Sequence, residues 1–194
     1  MKKILLLTII LVLFSFTYFM SRTANADEAI LVPVSLHLIN DGTVQYSTNR
    51  NIDDLETSFN EVNRIWKQAG IEFYIEDIDV IKIENKEFTS ILTGEVAKLT
   101  QRNDYDDNMI NGYFARYINS NGISFPPQGV FLIGDIITAN DYRVIAHELG
   151  HMLGLHHVET RNYLMFHNSN GELLSQEEVE IARKNAKRVY EIVN

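Results

Sequence analysis

His147-Glu148-Leu149-Gly150-His151-Met152-Leu153-Gly154-Leu155-His156-His157 is the stretch that decides how this chain folds, and it fits H-E-x-x-H-x-x-G-x-x-H at every fixed position. Residues four apart on an α-helix stand one turn above each other, so His147 and His151 present two imidazoles on one face at a separation a single zinc ion bridges. Glu148 lies beside that pair without ligating. A tetrahedral catalytic zinc needs a third protein ligand and one open position, and a straight helix cannot bring a third histidine round to complete the set. Gly154 can take the left-handed conformation that ends a helix, letting the chain fold back until His157 meets the metal from another side. The spacing argues against His156 as that ligand.

Beyond His157, Asn162-Tyr163-Leu164-Met165 has the form of a tight turn carrying a methionine, with Met165 eight residues after that histidine. With the histidine motif, this turn makes the sequence resemble the metzincin clan of zinc endopeptidases, which includes matrixin, astacin and reprolysin-type catalytic domains. The resemblance implies that Met165 forms a hydrophobic floor under the metal ligands. It also implies a metzincin-like α/β (α+β) fold: a twisted mixed sheet with a long N-terminal helix, an active-site helix, a Met-turn and a C-terminal helix. Residues 147–165 match by specific motif; the rest matches by the order of elements. Where astacin-type enzymes carry a tyrosine that approaches the metal, this sequence has His167, so an astacin-like fifth ligand is not expected.

The function expected from these residues is peptide-bond hydrolysis by a zinc-bound water that Glu148 activates, first as base and then as acid toward the departing amine. The resemblance further implies an extended protein or peptide substrate paired to an edge strand. The segment Gly129–Ile133, with Val130, Phe131 and Leu132, is the candidate strand, and Phe166, His167 and Asn168 are candidates for the wall of the specificity pocket. Two rivals are a hydrolase acting on a narrow non-peptide amide and a zinc protein that only captures peptides. His157 and Met165 argue against the first, and the intact Glu148 against the second. One catalytic zinc is the expected cofactor. Asp104, Asp106, Asp107 and Asn108 cluster without a recognised calcium-loop spacing, so structural calcium is possible but a solvated acidic loop is favoured. His37 and His156 have no partner at ligand spacing and are expected to be structural or solvent-facing.

The elements around the motif follow from periodicity. Ile30–Ile39 alternates as a half-buried strand, and Asn40-Asp41-Gly42 supplies a turn. Leu55, Phe59, Val62, Trp66 and Ala69 form a helical stripe over Ile52–Ala69 that Gly70 terminates. Ile71–Ile83 reads as a strand and Phe88–Gln101 as a helix, with Gly94 against it. Tyr113–Ile118 and Gly129–Ile133 read as strands, with Asn119–Gln128 as a loop between them. Tyr142–Gly154 is the motif helix, capped by Asn140 or Asp141. Ser175 and Glu178 form a capping box before a closing helix whose apolar stripe is Val179, Ala182, Ala186, Val189 and Val193.

At the N-terminus, Lys2-Lys3, an uncharged run of 17 residues from Ile4 to Met20, and Ala24-Asn25-Ala26 make the three-part layout of an export signal. The run is at the lower limit for spanning a bilayer, so an uncleaved anchor is the alternative. The expected division is a signal at residues 1–26, cleaved near Ala26, and a single catalytic domain at 27–194, secreted to a periplasmic or extracellular location. Loss of Lys2, Lys3 and Arg22 takes the formal charge from −9 to −12. That acidity excludes nucleic acid and anionic membrane surfaces as partners. The chain has no cysteine, which excludes thiolate zinc sites, a cysteine nucleophile and disulfide stapling. Nothing in the sequence fixes the oligomeric state.

Overall fold

The computed structural model describes residues 29–136, 140–167 and 170–190. The expected signal segment, Asn168 and Val193 lie outside the described residues, as does the side chain of Val189. Strand β1 (Ile30–Ile39) runs into helix α1 (Ile52–Trp66), which a short 3₁₀ turn extends to Ala69. Gly70 then adopts φ 59° and turns the chain into β2 (Ile71–Ile81). Helix α2 (Asn85–Leu92), β3 (Ile110–Ala115), β4 (Gly122–Phe125), β5 (Val130–Gly134), α3 (Asp141–Met152) and α4 (Gln176–Tyr190) complete the order. The sheet runs β2-β1-β3-β5-β4; neighbours pair in parallel except β4, which is antiparallel to β5 at one edge.

The stripe of α1 is buried as its spacing predicts, with Leu55, Val62 and Trp66 fully enclosed. Asn51 and Asp54 form a reciprocal capping box at its start. The first core lies between one face of the sheet and α1, α3 and α4, and takes Val32, Val34, Leu36 and Leu38 from β1. The second covers the opposite face with Phe88 and Ile91 of α2, Leu99, Tyr113 and Leu132. β1 is therefore central and buried on both faces from Val34 onward, not half-buried as its polar residues suggest. Its His37 is fully enclosed: Nδ1 meets Asp79 Oδ1 at 2.7 Å and the ring stacks on Tyr113. A buried imidazole is tolerated here because its polar atoms are partnered.

Four further expectations are corrected. The Phe88–Gln101 helix is two pieces, α2 and a 3₁₀ segment at Val96–Gln101, broken where Gly94 takes φ 124°. The strand expected at Tyr113–Ile118 begins and ends three residues earlier. The expected loop 119–128 contains β4; the cap position of α3 is held by Asn140, one of the two residues expected there, without a side-chain cap bond. Most consequentially, Val130, Phe131 and Leu132 lie in β5, paired on both sides by β3 and β4 and no more than 1% exposed. With both edges occupied, β5 cannot receive a substrate strand; β4 holds the edge position.

Trp66 fastens the long helix to the motif helix. Its indole Nε1–H donates to Ala146 O at 3.2 Å in a fully buried position. Trp66→Phe removes that donor and part of the ring volume, so an unfolding free energy lower by about 1–3 kcal/mol is expected in urea titration.

Candidate functional site

Helix α3 delivers His147, Glu148 and His151 and then stops in a specific way. Gly154 N–H donates to His151 O and Leu155 N–H to Gly150 O, both at 2.9 Å, with Gly154 at φ 82°. This is a Schellman ending. Leu155 serves twice, because its carbonyl also accepts from His151 Nδ1 at 2.8 Å. From α4, Asn185 Nδ2 caps Leu153 O at 2.9 Å. The chain then doubles back, and His157 Nε2 comes to 3.2 Å from His147 Nε2 and 3.1 Å from His151 Nε2.

Beyond it, Phe166 N–H closes a turn on Tyr163 O at 3.2 Å, and Met165 is fully buried inside that turn. The sulfur packs so closely on α3 that a Cβ at Gly150 would lie 2.5 Å from Met165 Sδ. Leu164 O accepts from His147 Nδ1 at 2.7 Å, so turn and ligand are fixed to one another.

These bonds test whether the site fits a metal. A carbonyl oxygen only accepts, so Nδ1 of both His147 and His151 carries the proton and each Nε2 presents a lone pair. The Nε2 atom of His157 can satisfy at most one of them with a proton. Three imidazole nitrogens at such spacing need a cation between them. Tetrahedral zinc with Zn–N bonds of about 2.0–2.1 Å puts its donors about 3.3–3.4 Å apart, close to the distances here. Among the described residues this is the only group of three or more His, Asp or Glu side chains whose donor atoms converge in this way. Burial pushes His147 down to about 3, and lowers His151 and His157 also, so protons do not compete for the donors near neutral pH. Burial also pushes Glu148 up to about 7.

Of the other sequence candidates, Phe166 and His167 flank the site, with stacked rings 4.9 Å apart and the His167 ring 5.9 Å from that of His157. His156 is exposed. The acidic loop is engaged locally: Arg102 binds Asp104, and Asp106 accepts from Asn108. One residue escaped the sequence reading. Arg143 is 4% exposed, and its guanidinium donates to the carbonyls of Leu164 at 2.5 Å, Phe166 at 2.6 Å and Gly171 at 3.2 Å. Standing one turn before His147, it shares that residue's inward face, which was the available signal.

A sequence profile of the matrixin family matches residues 49–193. The chain belongs to the matrixin family. Its fold is similar to an archaemetzincin from Methanopyrus kandleri (TM-score 0.56, 14% identity, covering 84% of this chain and 99% of that one). It is also similar to metalloproteinase-II from Bacteroides fragilis (TM-score 0.54, 14% identity, 81% and 53%). A third likeness is to a chain in a chaperone-substrate complex (TM-score 0.59, 14% identity, 84% and 35%), so this matrixin spans about a third of that chain's length. Comparison with curated proteins finds no match. This matrixin is a zinc metallopeptidase domain, with the histidine triad as its zinc site.

Two outcomes are expected. Arg143→Met strips three carbonyls of a buried donor and frees the Met165 turn, so zinc affinity measured against a competing chelator falls about 10- to 100-fold. In metal-free protein, Glu148 carries a folded pKa above its unfolded value, so the stability it contributes is complete below pH 4.5 and lost as pH rises through 7. Glu148→Gln removes that dependence. Urea titrations should show the variant gaining about 2 kcal/mol on the parent between pH 5 and pH 8, while titrations common to both chains cancel.

Proposed function

We propose that this protein is a secreted zinc endopeptidase in which His147, His151 and His157 hold the metal and Glu148 moves the proton. The observation that carries the reading is the convergence of three imidazole Nε2 atoms beside a helix that also carries a buried carboxylate, next to the edge strand β4. Zinc bound there supplies Lewis-acid polarisation of a carbonyl and acidifies water toward neutrality. Glu148, buried and held near neutral, accepts a proton from the attacking water at its carboxylate oxygen. It then returns that proton to the amine nitrogen of the departing segment. His147 and His151 keep their Nδ1 protons on Leu164 O and Leu155 O, which holds their Nε2 lone pairs inward throughout.

β4 replaces β5 as the docking strand in this reading. Its partner β5 occupies one side, and a peptide added to the other side gains main-chain hydrogen bonds irrespective of its sequence. Phe166 and His167 then lie where a substrate side chain beside the scissile bond is accommodated. Export is supported by the layout of Lys2-Lys3, the Ile4–Met20 run and Ala24-Asn25-Ala26. Among the described residues no helix is long and apolar enough to cross a membrane.

The test is cleavage of a mixed peptide library by the zinc-loaded protein, with and without chelator, alongside Glu148→Ala carrying one zinc per chain. Internal cuts that chelator removes, zinc restores and Glu148→Ala abolishes are expected, with rates lower by at least about 100-fold in the variant. Zinc binding without cleavage by the parent chain would leave a peptide-capturing protein instead. A mature N-terminus at Asp27, read by mass spectrometry on exported protein, checks the signal.

A further inference from the structure

Strand β4 faces two ways. Its odd residues Ile123 and Phe125 pack against the core on the outer face of the sheet. The alternation of a strand therefore turns Gly122 and Ser124 to the other side, where helix α3 carries Glu148. The approach there is close. A Cβ at Gly122 would stand 2.7 Å from both Cγ and Oε1 of Glu148 and 2.9 Å from Cδ, so the missing side chain is the volume that the carboxylate occupies. Ser124, two residues on, shares that face of the strand, and its hydroxyl favours the ionised form of the same carboxylate against the burial that raises it. Glu148 is 6% exposed and has little free volume to retreat into.

We infer that Gly122 and Ser124 are positioning residues that together form a seat for the Glu148 carboxylate. Glycine vacates the space and serine fixes the rotation of the oxygens. Because a substrate strand would pair with the free side of β4, one four-residue strand both docks the peptide and aims the base at it. The inference rests on the proposed roles of Glu148 and β4, and it extends them: orientation of the base is set from the substrate-binding edge rather than from the motif helix alone. A group misplaced by about 1 Å loses rate on the order of 100-fold, so the seat should register in kcat more than in KM.

The experiment is a double-mutant cycle on the full chain, each variant first shown to bind one zinc and to unfold in a single urea transition. With an internally quenched peptide, Ser124→Ala is expected to lower kcat about 10- to 100-fold with KM within about twofold. Ser124→Thr, which keeps the hydroxyl, should restore most of the loss, and Gly122→Ala should lose kcat in the same range. In the Glu148→Gln background Ser124→Ala should cost no further rate. A readout independent of turnover uses metal-free protein: Ser124→Ala should shift the urea midpoint in the parent chain and not in Glu148→Ala. Equal effects of Ser124→Ala with and without Glu148, in rate or in midpoint, would overturn the seat. Full activity of Glu148→Gln would instead remove the base assignment, and the midpoint cycle would still decide whether the seat exists.

Discussion

Three imidazole lone pairs that must be held together without a proton to share between them are the constraint on which the rest of this structure depends. Left alone, such an arrangement is repelled by its own electrostatics and competes poorly with solvation of each ring. Backbone carbonyls set the tautomers: Leu164 O fixes His147 and Leu155 O fixes His151. Those carbonyls are themselves placed by the Met165 turn and by the end of α3. The fold serves this purpose at a distance, with Trp66 pinning α3 to α1, and Arg50 joining Asp135 to Asp141 at the start of α3. Zinc supplies the compensating charge, so metal binding and folding are coupled through the same few hydrogen bonds.

Burial governs the chemistry of the site in two opposite directions. It favours the neutral form of every group it encloses, which for His147 means a free lone pair and for Glu148 a retained proton. One environment thus prepares a metal donor and a near-neutral proton carrier on adjacent residues of one helix. Arg143 is the charged group kept within this region, and it is tolerated because three carbonyl oxygens receive its donors.

The parts legible in the sequence were those fixed by local stereochemistry. Gly154 and Gly70 end helices in the left-handed region, Ser175 and Glu178 bond reciprocally, and the stripe of α1 faces the core. The three histidines came together as their spacing requires. What was illegible depended on partners distant in sequence. β4 has four residues followed by two prolines, too short for alternation to stand out and made a strand only by pairing with β5. Val130–Leu132 reads as a strand from its apolar run, but no local signal tells an interior strand from an edge one, and its burial on both faces is a fact of the neighbours. β1 hid its centrality behind Ser35 and His37, whose polar atoms are bonded inside the second core rather than to water. Arg143 had a discernible facing, yet the carbonyls that receive it lie more than twenty residues ahead.

Leu155 shows how such a site can and cannot vary. Both of its contributions come from the main chain, its N–H closing the helix on Gly150 and its C=O orienting His151, while its side chain is merely one more apolar surface in the core. Substitution by another residue of similar volume leaves both functions standing. Insertion or deletion of one residue between His151 and Leu155 removes them at once, because helix termination and ligand orientation share a single residue. Drift at this segment is therefore free in side-chain identity and closed in chain length, and a lengthened variant has no partly working intermediate through which to arise.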